Sequence, residues 1–352
     1  MSSADSTNAR MPAEWEAQES VILAWPTNKE DWPGKFRPIP WVFAEMIRHL
    51  SVGQRVDLFV PNGCIEEKAL RTLAKVGANL DKVRFHQQEL DRGWMRDCSP
   101  AFVVRDGQRT AVHFDFNAWA KYDNYQLDAL AAPFIADAAP MPLLRAMHGE
   151  RHVVLEGGGI DGNGAGTLLT TEECFLDGEI QVRNPGFTRE DYEAVFRQYL
   201  GVEKVIWLGK GIAGDDTHGH VDDLCRFVNR DTVVLVTEPD GTDENHQALS
   251  ENRERLQGMT TASGAALNVV ELPMPAPLYF DGVRLPASYA NFYIGNEAVQ
   301  VPTFNDAKDR IALGILGELF PDRRVVGIHA VDLVWGFGTV HCLSHELPAG
   351  IV

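Results

Sequence analysis

Two patterns of hydrophobic and polar positions alternate along the chain. The first is a set of short runs rich in β-branched and aromatic residues and bounded by Pro, Gly or Asn. They are "SVILAWP", "RVDLFVP", "SPAFVV", "TLLTTEECFL", "TVVLVTEP" and "AVQVPTF", and such runs predict strands. The second pattern has helical spacing. "WVFAEMIRHL" sets Val42, Met46, Ile47 and Leu50 along one flank, as an amphipathic helix does. "TREDYEAVFRQYLG" offers Thr188 as a cap and Gly201 as a stop. "NHQALSENRERLQ" and "DRIALGILGELFP" predict two further helices. Strands alternating with helices throughout indicate the α/β class.

No apolar run approaches the roughly 20 residues needed to span a bilayer. The first ten residues, "MSSADSTNAR", are polar and read as a flexible tail, with one domain over residues 11–352. "VELPMPAPLYFDG" is proline-rich but short and apolar, a surface loop rather than a hinge. The glycines of "LEGGGIDGNGAG" precede a run that reads as strand, so a dinucleotide-binding fingerprint fails on context.

Composition is that of an ordinary globular protein, with 352 residues, 45% hydrophobic and 23% charged. That length accommodates two or three conventional domains, or one large domain built from repeats. The formal net charge of −18 argues against a nucleic-acid partner, whose phosphates need a basic surface. It suits a small cationic substrate, although acidic proteins are common for reasons of solubility alone. The five cysteines are odd in number, widely spaced and without a C-x-x-C pair. A disulfide framework or structural zinc site is not expected. Reduced thiols in a cytoplasmic protein are the expectation.

Four segments carry polar residues where plain turns or strand ends would serve: "GWMRDCSP", "VVLEGGGI", "GDDTHGHVDD" and "GTVHCLSHE". Their candidates are Asp97, Glu156, His220 with Asp222, and Cys342. The intervals from 97 to 156, 156 to 220 and 220 to 342 are 59, 64 and 122 residues. That is a period of about 60 with one position skipped, and a ring of repeated modules would bring such positions to a common axis.

Each segment keeps more than one reading. As a strand, "DDTHGHVDD" would place His218, His220 and Asp222 on one face. That face suits a general acid–base pair, much of a divalent-metal site, or a solvated strand end. Asp97, behind Trp94 and Arg96, makes either a cradle for a planar cation or an Arg96–Asp97 surface turn. Glu156 could orient a histidine or merely end a strand before three glycines. Cys342 reads as a nucleophile if something lowers its pKa, and otherwise as a buried thiol.

Taken together, and in order from Met11 onward, these segments resemble the agmatine deiminases. These are grouped with bacterial-type peptidylarginine deiminases in the guanidine-modifying superfamily. The resemblance also rests on "MPAEWEAQESVILAWP", "WPGK", "FNAWAKYDNY", "GTLLTTEECFL", "RNPG", "RFV", "YANFYIGN", "VPTFND" and "HCLSHELPAG". It implies a five-fold pseudo-symmetric α/β propeller of ββαβ-type modules, with one catalytic domain and its active site on the axis. It also implies Asp97, Glu156, His220, Asp222 and Cys342 as site residues in a covalent mechanism with no metal and no cofactor. Asp97 and Asp222 would clamp a guanidinium, Cys342 would attack its carbon, and His220, oriented by Glu156, would move the protons. Asp216 is the candidate partner for a distal amine, or a solvated loop acid. Trp94 and Trp119 would wall an alkyl chain, or pack in the core.

The family's substrates are small cationic guanidines, and homo-oligomers are common among its members. Departures from its pattern fall at Cys98 and Ser99, in "NAWAKY", and in the "HELP" after the cysteine. A deiminase of another guanidine remains the first alternative. A manganese-dependent ureohydrolase using His218, His220 and Asp222 is the second. A non-catalytic guanidine-binding homologue is the third. His341 and His345 are expected to be neighbours only.

Overall fold

The computed structural model describes residues 9–350. Five sheets repeat one pattern, a short first strand antiparallel to a central strand, with a third strand parallel to the centre. The central strands are Gln18–Ala24, Gln108–His113, Thr167–Thr171, Thr232–Thr237 and Ala298–Thr303. Their parallel partners are Arg55–Val60, Leu143–Arg145, Lys204–Leu208, Asn268–Pro273 and Arg324–His329. A parallel return needs a crossover, and helices supply it. Ile39–Gly53, Asn245–Leu256 and Asp309–Leu319 do so in three of the modules. The unit is therefore ββαβ, five times over.

In four modules the first strand directly precedes the central one: Ala101–Arg105, Asp161–Gly162, Cys225–Phe227 and Tyr293–Ile294. In the remaining sheet the first strand is Ser344–Pro348, which pairs antiparallel with Gln18–Ala24. The sheet begun by the first module is thus finished by the last, and the ring of modules closes without a free end at this seam. Central strands such as Val233–Val236 are buried along their whole length. Strands covered on both faces read as continuous apolar runs, which is why "VVLV" shows no alternation.

Local chemistry sets the element ends. Thr188 accepts from the Asp191 amide while Asp191 accepts from the Thr188 amide, a capping box. The helix runs on as a wider turn to Gly201, whose φ of 70° ends it. The first helix buries Ile39, Phe43, Met46, Ile47 and Leu50, while Val42 is only half-buried. Its core face is therefore turned slightly from the flank the sequence suggests.

Several expectations are corrected. "TLLTTEECFL" is strand only through Thr171. The Thr171 hydroxyl then accepts from the Cys174 amide at 3.0 Å and caps the helix Glu172–Leu176. Two glutamates in that first turn favour the helix. "WGFGTV", whose apolar residues and glycines suggest a strand before the cysteine, instead ends a short helical turn, Leu333–Gly336, with Phe337 at φ 65°, and Cys342 lies on the helix Val340–Leu343. "DDTHGHVDD" is no strand. His218 and Gly219 have φ of 63° and 93°, and the chain turns into the helical turn Val221–Asp223. Residues 1–8 of the expected tail lie outside the described residues. Ala9–Arg10 are a strand, paired with Val104 and Arg105. Among the described residues no helix is long and apolar enough to cross a membrane.

The turns before the first strands meet at the centre of the ring. Helix Met95–Cys98 touches both Val340–Leu343 and the turn Gly157–Gly159, and that turn touches Val221–Asp223. Ser288 donates its hydroxyl to the Asp223 carbonyl at 2.7 Å, and Asn291 reaches Cys342. These contacts complete the circuit through all five modules.

Candidate active site

Asp97, Glu156, His220, Asp222 and Cys342 stand two to five residues before the first strand of their modules. All are buried. The position skipped by the 60-residue period is filled by Asn291, two residues before Tyr293–Ile294. It falls later than the period suggests because an extra hairpin, Tyr279–Phe280 with Val283–Arg284, lengthens that module.

Asp97 accepts from the Gly158 amide and the Trp119 indole, both at 2.9 Å. It does not form a surface turn, and Arg96 points elsewhere, toward Glu14 at 3.2 Å and Glu346 at 2.9 Å. His220 Nδ1 lies 3.9 Å from Asp97 and 4.0 Å from Asp222. Neither ring nitrogen of His220 has a hydrogen-bond partner, and Asp222 Oδ1 also lacks one. The Cys342 thiol points at Asp222 Oδ2 from 3.6 Å.

Glu156 lies close to His220 but makes no hydrogen bond with it. Its Oε1 accepts from Arg183 Nε at 3.1 Å, and Oε2 has no partner. Arg183 is held in turn by the carbonyls of Gln181 and Thr217. The glycines after Glu156 are dictated by proximity. A Cβ on Gly158 would lie 2.4 Å from His220 Nδ1 and 3.0 Å from Asp97 Oδ1.

The electrostatics are those of a site short of positive charge. Burial, then Glu156, pushes Asp97 up to about 7. Burial, then Asp97, raises Asp222 well above the carboxylate range. Burial and the nearby Asp222, Asp223 and Asp97 raise the Cys342 thiol. Burial, then Arg183, holds His220 well below its usual value. Like charges in a dry site cannot all ionise unless a cation joins them.

A cleft of about 220 Å³ opens onto Asp97 and Cys342. Trp94, Trp119, Tyr122, Trp335 and Asp216 are among its walls. Trp119 thus serves both the cleft and Asp97. Trp94 packs on Trp32 at 5.6 Å and approaches the cysteine because Gly338 has no side chain. A Cβ there would meet Trp94 at 2.7 Å and Cys342 Sγ at 3.2 Å. Asp216 lines the cleft but is already bound by Lys121 at 2.5 Å and Tyr122 at 2.6 Å.

Two readings fail on geometry. His218 is held by Asp177 at 2.8 Å, on a different surface from the cleft, so His218, His220 and Asp222 do not converge as metal ligands. His341 is more than a neighbour. Its Nδ1 lies 2.7 Å from Asp222 and its Nε2 2.8 Å from Glu14. Glu14 is held ionised by Arg226, His341 and Arg96, against the opposing effect of its burial. Burial holds His341 below its usual value and raises Asp222 above its own, which favours a neutral ring that accepts from Asp222 and donates to the Glu14 carboxylate. His345 faces away, its ring 5.4 Å from that of Phe102.

Sequence reasoning missed Arg183, Asn291 and Glu14. Arg183 and Asn291 sit in "RNPG" and "YANFYIGN", and Glu14 in "MPAEW". These segments marked the resemblance without exposing what the residues touch.

Residues 10–348 match the family model of the Porphyromonas-type peptidyl-arginine deiminases. The agmatine deiminase of Pseudomonas syringae pv. tomato is 32% identical over 363 residues, covering 96% of this chain and 95% of the relative. A solved agmatine deiminase of Enterococcus faecalis superposes with a TM-score of 0.88 at 31% identity, over 99% of this chain and 97% of that one. An agmatine deiminase of C. jejuni, solved with substrate bound, does so with a TM-score of 0.87 at 28% identity, over 98% of each. The chain belongs to the Porphyromonas-type peptidyl-arginine deiminase family.

Proposed function

We propose that this protein hydrolyses agmatine to N-carbamoylputrescine and ammonia through a covalent intermediate on Cys342. One observation carries the reading: Asp97 and Asp222 are buried together beside a thiol, and the basic groups against them are two histidines whose pKa burial holds down, His220 near both and His341 on Asp222. A planar guanidinium supplies the missing charge and the missing donors. The relatives named for agmatine deimination favour this substrate over other guanidines.

Asp97 and Asp222 ionise as the guanidinium binds and hold its carbon against the sulfur. Cys342 gives its proton to the neutral His220, and the thiolate attacks that carbon. The C–S bond forms and one C=N electron pair moves to nitrogen. His220 then returns the proton to the departing nitrogen, the C–N bond breaks, and ammonia leaves an S-alkylthiouronium. A water, deprotonated by His220, attacks the same carbon. The C–S bond breaks, the new hydroxyl loses its proton to solvent as the C=O forms, a ureido product departs, and His220 returns its proton to the Cys342 thiolate. Glu156 and Arg183 back His220 and fix the field around it. Asp216, shared with Lys121 and Tyr122, stands at the cleft wall for the distal amine.

The test is product analysis with agmatine, arginine and an arginyl peptide side by side. Agmatine is expected to give ammonia and N-carbamoylputrescine fastest, and Cys342→Ser to abolish turnover. Equal turnover of the peptide, urea as product, or an active Cys342→Ser would each overturn the proposal. A cytoplasmic, homo-oligomeric enzyme of polyamine synthesis is the setting that fits this reaction.

A further inference from the structure

We propose that His341 and Glu14 form a proton relay, which carries the Asp222 proton out to a second cavity, separate from the cleft, when a guanidinium binds. The inference rests on the guanidine reading for its trigger and goes beyond it in its route. The second cavity, of about 60 Å³, has Glu14, Arg96, Ser99, His341, His345 and Glu346 among its walls and shares no lining residue with the cleft. Two short helices divide adjacent residues between the two spaces. Met95–Cys98 turns Asp97 to the cleft and Arg96 to the cavity, and Val340–Leu343 turns Cys342 to the cleft and His341 to the cavity. Ser99, His345 and Glu346, where the sequence departs from the family's pattern, all line the cavity. Half-buried Met11, Ser99, Asp161 and Glu346 bring it to the surface. Ser99 Oγ and His345 Nδ1 have no hydrogen-bond partner among the described residues. A polar space of this size suits a few waters.

The wire is unbroken. Asp222 Oδ2 lies 2.7 Å from His341 Nδ1, and His341 Nε2 lies 2.8 Å from Glu14 Oε2. All three side chains are buried. Burial and then Asp97 raise the pKa of Asp222, so it holds a proton before substrate arrives. A guanidinium needs the carboxylate and fills the cleft as it binds, so the proton leaves by another way. His220 is the poorer exit, because its Nδ1 stands 4.0 Å from Asp222 Oδ1 with no hydrogen bond between them. It is also engaged in receiving the thiol proton. Along the relay the Asp222 O–H bond breaks as an N–H bond forms at Nδ1. The Nε2–H bond then breaks as Glu14 is protonated. Burial, Arg226 and Arg96 disfavour an imidazolium at His341, so the ring passes the proton on. Glu14 keeps it only briefly, since Arg226 and then His341 favour its carboxylate against the effect of burial. Water in the cavity takes it. When product leaves, the reverse passage reloads Asp222 and restores the tautomer of His341.

The test is proton release on ligand binding, followed by stopped flow with a pH indicator in Cys342→Ser, where no chemistry follows. At pH 8 Asp97, at about 7, is already largely ionised, so the proton released is that of Asp222. Agmatine and the guanidinium ion are the two probes, and about one proton per site is expected to leave. His341→Gln, added to Cys342→Ser, offers a donor and an acceptor but no basic ring nitrogen. It should slow release by about a hundredfold with little change in ligand affinity. His341→Gly should be equally slow and be rescued by imidazole but not by pyrazole, an isostere too weakly basic to carry the proton. A void filled for shape alone would be rescued by both. Ser99→Leu, which fills the cavity and leaves the wire intact, should also slow release, and it decides the matter if the His341 variants fail to fold. Release within about threefold of the parent in His341→Gln, or in Ser99→Leu where that variant decides, overturns the relay. Equal rescue by both azoles, or no proton release with either probe, overturns it as well. Release with guanidinium and none with agmatine would sink the agmatine reading and leave the relay standing.

Discussion

Asp97 is a carboxyl group waiting for a counter-ion. Burial and then Glu156 raise its pKa to about 7 in the fold, above the ordinary 3.8 of an aspartate, so the fold binds this proton more tightly than the unfolded chain. Stability from this group is therefore present at low pH and lost as pH rises from about 4 through 7. A bound guanidinium reverses the preference by favouring the carboxylate. His220, whose pKa burial and then Arg183 hold well below its usual value, acts on stability in the opposite sense, because the imidazole of the unfolded chain binds a proton as pH falls. The KM for agmatine is thus expected to fall as pH rises from 6 to 8, and the substrate-induced rise in Tm of Cys342→Ser to be larger at pH 8 than at pH 6. A KM flat across that interval, measured by initial rates, contradicts this account. The candidates at the axis were legible in the sequence because five such residues stood where turns needed none. What Asp97 bonds to was not, since Gly158 and Trp119 are 61 and 22 positions away.

The elements show where local pattern suffices and where it does not. Thr188, Gly201 and the strand Thr232–Thr237 are local decisions, and the sequence shows them plainly. The helix Glu172–Leu176 was hidden because its cap, Thr171, is also the last residue of a strand. The loop that carries Trp119 is more instructive. Ala118, Trp119 and Ala120 have φ of 50°, 59° and 52°, all left-handed without a glycine. Such residues each cost about 1 to 2 kcal/mol, and no propensity argument predicts three in a row. The Asn117 side chain accepting from the Ala120 amide at 2.9 Å holds the turn, and it delivers the indole to Asp97. Gly158 tests the packing of the neighbouring turn. Gly158→Ala drives a methyl into His220 and Asp97, and is expected to lower kcat/KM by about a hundredfold. Far-ultraviolet circular dichroism should stay that of wild type; unimpaired turnover would mean the turn can yield.

At the scale of the molecule, the modules are tied by charge as well as by strands. Arg226, fully buried, binds Glu14 at 3.0 Å, Asp161, and the Phe292 carbonyl at 2.8 Å. Arg96 joins Glu14 from another module, and Glu14 reaches Asp222 through His341. Removing one member strands its partners in a dry interior, so Arg226→Met is expected to destabilise the fold by about 3 to 5 kcal/mol. Denaturant titration followed by fluorescence and by activity should show both lost together; a loss under 1 kcal/mol would show the carboxylates finding other partners. The repeat itself was legible only as an interval of about 60 residues. Its fifth member was obscured by an inserted hairpin and by being an asparagine, a type no charge-based search selects.

The five turns before the five first strands amount to sockets on a common hub. Each presents its side chain to the same centre from a short helix or turn of its own, while the sheets behind carry the stability. Chemistry and scaffold are thereby uncoupled: a socket can exchange a carboxylate for an amide or a thiol without reworking a strand. Such a ring can change its reaction one spoke at a time.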